Sequence, residues 1–164
     1  MCYSYIIERG KPHPIRSYKN QQRESHMTQV SKAVDRIMRA HSDPVAALAP
    51  GLNPIAFHQL EGVGDNHVDF IQRFTNGNHF DLVRLDGGLD LWVDDEFLFS
   101  GKPMNAVASL LTRDFTSYPP IQILGGALLT GSDGPETVGL SEDQLRRFLT
   151  WFEGLTGPGR FRVS

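Results

Sequence analysis

The chain has 164 residues, 21% of them charged and 40% apolar, which is ordinary for a globular protein and enough to bury one real core. A single cysteine, Cys2, excludes an internal disulfide framework and a thiolate zinc site of the chain's own. No apolar run approaches the roughly 18–20 residues of a bilayer span, and the first residues lack the pattern of a signal peptide, so no membrane association and a cytoplasmic location are expected.

The net charge of −3 conceals a division. Residues 1–40 hold eight Lys/Arg against three acidic residues, a balance of +5, and the remainder holds the other eight against sixteen, a balance of −8. A basic arm on an acidic body can touch nucleic acid, an acidic partner or its own body. Without aromatic interleaving or a binding motif, nucleic acid is not the favoured partner.

In chain order, Met1–Ile7 is β-prone and Gly10-Lys-Pro-His-Pro14 stops regular structure. The polar, aperiodic stretch 8–27 reads as a flexible linker, with Met27 an alternative start. Cys2 would become N-terminal on loss of Met1, and the opening Met-Cys-Tyr-Ser resembles proteins that link covalently to abasic DNA sites through such a cysteine. That likeness stops after four residues, and an ordinary terminal cysteine is the reading carried forward.

Thr28 or Ser31 can cap a helix whose stripe is Val30, Val34, Ile37 and Met38. The stripe is expected to pack on the chain's own core. Val45-Ala-Ala-Leu-Ala49 reads as a second, short helix closed by Pro50-Gly51. Pro54–Leu60 has strand character, Gly62-Val-Gly64 is a turn, and Asp65 or Asn66 caps a helix with Val68, Ile71 and Phe74 inward. The paired glycines before that helix fall short of any full phosphate-loop motif, so a strand-to-helix turn is the preferred reading.

Phe80–Leu85, Asp86-Gly-Gly88 and Leu89–Asp95 form a hairpin signal, because a turn able to adopt positive φ joins two alternating segments. In its second strand Leu89, Leu91 and Val93 face a core, while Asp90, Trp92 and Asp94 face water, with Trp92 the exception. Asn105 caps a short helix carrying Val107, Leu110 and Leu111. Ile121–Thr130 then reads as a central strand whose Gly125-Gly126 marks a bulge or a close backbone approach. Ser141 and Gln144 make a capping box for a last helix with Leu145, Phe148, Leu149 and Phe152 buried, and Arg160–Val163 is a separate short piece.

Five segments in order, Phe80–Leu85, Leu91–Glu96, Asn105–Ala108, Ile123–Gly131 and Glu136–Leu140, resemble a group of mainly phage, plasmid and actinobacterial proteins catalogued as domain of unknown function three-eight-four-six. The resemblance covers roughly residues 54–150 and implies no reaction and no catalytic residues. Asn76-Gly-Asn78 stands where that family usually has a Gly-Gly pair.

The elements together predict an α+β domain at residues 53–156, a mostly antiparallel sheet of about four strands covered by helices on one face. An N-terminal basic extension and helical arm (1–52) precede it and a tail (157–164) follows. His58, His67 and His79 lack metal-ligand spacing, and no cofactor or metal site is indicated. Two functions are carried forward. The first is a non-enzymatic accessory or regulatory protein of a phage or mobile element that binds a host protein or small ligand through Trp92, Asp90, Asp94 and Asp95. The alternative is a small metal-dependent hydrolase or nucleotide-handling enzyme using Asp94-Asp95-Glu96. A competing reading of Trp92 has the N-terminal arm cover it with Val34, Ile37 and Met38.

Overall fold

The computed structural model describes residues 5–8, 11–51, 55–61, 67–77, 79–99, 101–157 and 161–163, with side chains placed from residue 20 to 157 within those ranges. The elements are β1 (Tyr5–Glu8), β2 (Lys11–Pro14), α1 (Ile15–Ala40), β3 (Pro44–Leu48), β4 (Ile55–Gln59), α2 (Val68–Thr75), β5 (Phe80–Leu85), β6 (Leu89–Asp94), α3 (Ala106–Asp114), β7 (Ala127–Asp133), β8 (Glu136–Val138), α4 (Glu142–Thr156) and β9 (Phe161–Val163). β1 and β2 pair with each other. The other strands form a seven-stranded sheet in the order β5-β6-β7-β3-β4-β9, with β8 also on β7, and only the β4–β9 pairing is parallel. The α+β class and the mostly antiparallel sheet hold. The sheet is larger than the four strands expected, and helices cover both of its faces.

Local chemistry explains the elements that were readable. Gly87 and Gly88 take φ of 82° and 69° to close the β5–β6 hairpin, a conformation open to glycine at little cost. Asn105 caps α3 by accepting from the Ala108 amide. Ser141 and Gln144 form the reciprocal capping box of α4.

Three expectations are corrected. Val45–Ala49 belongs to a strand: β3 lies between β7 and β4 with both faces covered, Val45 and Ala46 being fully buried. Tertiary pairing overrides the helix propensity of its alanines. The linker read at 8–27 holds β2 and the first half of α1, a helix of 26 residues. Residues 20–29 of this helix are almost wholly exposed, so no apolar stripe was needed there and none made it legible as a helix. The third concerns the arm. Val30, Val34 and Ile37 do pack on the chain's own core, but in the cluster of Leu89, Leu91, Phe148 and Phe152, on the face of β6 opposite Trp92. Because β3 comes from within the first 52 residues, the central sheet draws on both sides of the boundary expected there.

The two faces differ. One carries Ala46, Leu48, Phe57, Leu89, Leu91, Val93 and Leu129 under α1, α3 and α4. The other carries Val45, Leu128, Phe80 and Trp92 under α2 alone, through Phe70, Ile71 and Phe74. Gly126 lets α2 come this near: a Cβ there would stand 2.0 Å from the Phe74 carbonyl oxygen. This is the close approach that the paired glycines suggested, although β7 begins only at Ala127, so that the glycines precede the strand and do not interrupt the one expected at Ile121–Thr130.

Candidate functional site: an aromatic groove on the thinly covered face

Alternation along β6 places Trp92 on the α2 side, paired with Leu82 on β5 and Leu128 on β7. Its indole Nε1 donates to Thr130 Oγ1 at 3.1 Å. Phe80 meets it edge to face, with ring centres 5.4 Å apart and planes at 80°, a favourable aromatic geometry. The indole is thus fixed at one edge and one face while the residue stays half-buried.

Beside the two rings opens a groove of about 490 Å³. Its helix wall is His67, Val68 and Ile71, and its far wall is Pro135, Glu136 and Thr137 from the turn into β8. His67 is the N-cap of α2 but makes no side-chain cap, its Nδ1 lying 2.8 Å from the Glu61 carbonyl oxygen instead. Val68, expected inward, is 44% exposed at the groove. Only Trp92 of this set was singled out by sequence reasoning. The walls come from elements about 25 residues before and 45 after it, which no local signal joins.

Asp90 and Asp94, expected on a wet face, are only 6% and 4% exposed. Lys102 and the Asn76-Gly77 end of α2 lie against Asp94, on a face that alternation alone reads as solvent. Asp94 is compensated: Lys102 Nζ lies 2.5 Å from Oδ2, and the Glu96 amide donates to Oδ1 at 3.1 Å. Asp90 has no such partner among the described residues. Burial pushes its carboxyl above the ordinary aspartate range, opposed by the positive charge of Arg84 across the β5–β6 pairing. Asp95 and Glu96 are exposed in the turn that follows β6. The acidic triplet is therefore split between a buried ion pair and a solvated turn.

The histidines assemble more than their spacing suggested. His58 packs on Phe74 with ring centres 4.9 Å apart. Burial lowers its pKa, with further lowering from His41 and Arg73 and an opposing effect from Glu61. His41 Nε2 is buried without a hydrogen-bond partner. Between α1 and α4, His26 Nε2 lies 3.1 Å from Glu153 Oε2 without hydrogen-bond geometry, and Glu153 is buried. Both juxtapositions depend on tertiary packing and carry no sequence signal. Among the described residues no three His, Cys, Asp or Glu side chains are grouped to hold a metal ion, and no helix is long and apolar enough to cross a membrane. Cys2 and the turn Gly62-Val-Gly64 lie outside the described residues.

The geometry defines an α+β protein with a ligand-sized aromatic groove on one side of its sheet. A family model matches residues 53–153, and the chain belongs to that family, described as a domain of unknown function (DUF3846). No curated protein and no solved structure matches the chain.

Proposed function

We propose that this chain is a binding protein, a non-enzymatic accessory or regulatory protein of a phage or mobile element, which engages a host protein or small ligand in the groove beside Trp92. The observation that carries the reading is the groove itself. Its volume of about 490 Å³ falls in the range of roughly 300–1,000 Å³ typical of ligand sites. It sets a half-buried aromatic pair among a few polar groups, the composition that anchors recognition. The enzymatic alternative at Asp94-Asp95-Glu96 has less support, because Asp94 is committed to Lys102 and to the turn amide.

The test is affinity capture from the native host with the intact chain and with a Trp92→Phe variant, which keeps apolar bulk but loses the indole bond to Thr130. A bound species that is lost or clearly depleted with Trp92→Phe is the expected outcome. A species retained equally by both would show that binding lies elsewhere.

A further inference from the structure

The charge around the groove is one-sided. Glu136 stands in its wall and is exposed, with exposed Asp133 across the β7–β8 pairing. Asp90 lies two residues from Trp92 on the same face of β6, 6% exposed and without a hydrogen bond or ion pair from the described residues. No Lys or Arg lines the groove among the described residues. Two of the cations on this side are engaged elsewhere: Arg73 pairs with Glu61 at 2.6 Å and lies over Phe70, and Lys102 pairs with Asp94. Arg84, opposite Asp90, is exposed and forms no ion pair with it, acting on it only as a nearby positive charge.

Two aromatic rings set nearly at right angles, with the exposed Glu136 carboxylate in the same groove, are complementary to an organic cation. Ring faces attract ammonium and guanidinium groups, and the attraction strengthens as water is excluded. A cationic side chain also brings an aliphatic stem, for which Val68, Ile71 and Pro135 offer apolar contact. The chain as a whole is acidic, with a net charge of −3 made of −8 over residues 41–164 and +5 over residues 1–40, and an acidic surface favours a polycationic segment over a single small cation.

Resting on the groove reading above, we propose that its occupant is a lysine or arginine side chain carried on a basic segment of a partner protein. Phe80 and Trp92 receive the charged head and its stem, Glu136 supplies the counter-charge in the groove, and Asp90, buried two residues from Trp92, adds to the negative field.

The test is calorimetric titration of the full chain with a short lysine-rich peptide, with the same peptide acetylated on every lysine, and with spermidine. Saturable binding of the basic peptide is expected, weakened about tenfold by Trp92→Phe and about threefold to tenfold by Glu136→Gln, with the acetylated peptide silent. Glu136 is exposed, so Glu136→Gln leaves the fold intact and keeps the test valid if Trp92→Phe proves unstable. Equal binding of the acetylated peptide, indifference to both substitutions, or spermidine matching the peptide would each overturn the proposal. So would self-association abolished by Glu136→Gln, since a second copy's basic N-terminal segment would then be the occupant. If a captured non-basic ligand loses affinity with Trp92→Phe while the lysine peptide does not bind, the cationic occupant falls and the groove reading stands.

Discussion

The two faces of the sheet are built to different standards. Under α1, α3 and α4 the packing is continuous: Phe148 is fully buried, edge to face with Phe57 and stacked on Trp151 and Phe152. Asn105 is fully satisfied there, capping α3 and donating from Nδ2 to the Leu48 and Gly125 carbonyls at 2.8 and 2.9 Å, and the exception on this side is Glu153 Oε2, buried between α1 and α4 without a hydrogen bond. Under α2 a single helix of eight residues covers part of the sheet, a groove remains open, and Asp90 has no hydrogen bond or ion pair among the described residues. One face holds the molecule together, and the other retains the imperfections that binding can use.

The largest effect expected is on the closed face. Phe148→Asp would bury an unpaired carboxylate where no donor waits, costing several kcal/mol out of the roughly 5–15 kcal/mol that stabilises a domain. The domain should be unfolded at room temperature by circular dichroism and melt without cooperativity. A cooperative melt at the wild-type temperature would break the comparison at its root. Asn105→Ala is next. It removes the α3 cap and strands two buried carbonyls, for a loss of about 2–3 kcal/mol measurable by urea denaturation.

On the open face Gly126→Ala should cost less, about 1–3 kcal/mol, because α2 must back away from the added methyl. This substitution sharpens the comparison. The shift of α2 should alter the Trp92 emission in a Trp151→Phe background, whereas Asn105→Ala in that background should leave it alone.

What could be read from the sequence follows the range of the interactions involved. The β5–β6 hairpin, the Asn105 cap and the α4 capping box were legible because each is decided within a few residues. β3 was not, because its alanines favour a helix until β7 and β4 pair on either side of it. The groove was half legible: Trp92 stood out among acidic neighbours, but its walls require α2 and the β8 turn to meet across the sheet. The same alternation rule that placed Trp92 correctly misjudged Asp90 and Asp94, since period two tells which side a residue faces and not what covers that side.

The smallest effect expected concerns Asp90. Its folded pKa lies above the ordinary aspartate range because of burial, so the native state holds this proton to higher pH than the unfolded chain does. Between the two pKa values the unfolded state binds fewer protons, and stability falls as pH rises through that window. Asp114 has the opposite sign. The hydrogen bond from Arg113, and then that from Trp151, hold its carboxyl down to about 2, so its contribution is present above the unfolded value and is lost as pH falls through about 2. Asp90→Asn should therefore leave stability unchanged below the aspartate range and raise it slightly at neutral pH, by less than about 1 kcal/mol, in thermal melts compared at pH 3 and pH 7. A loss of stability at neutral pH would mean that the carboxylate is already compensated. If Asp90 serves a cationic side chain, the same substitution should weaken the lysine-rich peptide while stabilising the free protein, because the charge that costs the empty fold is the charge the ligand neutralises.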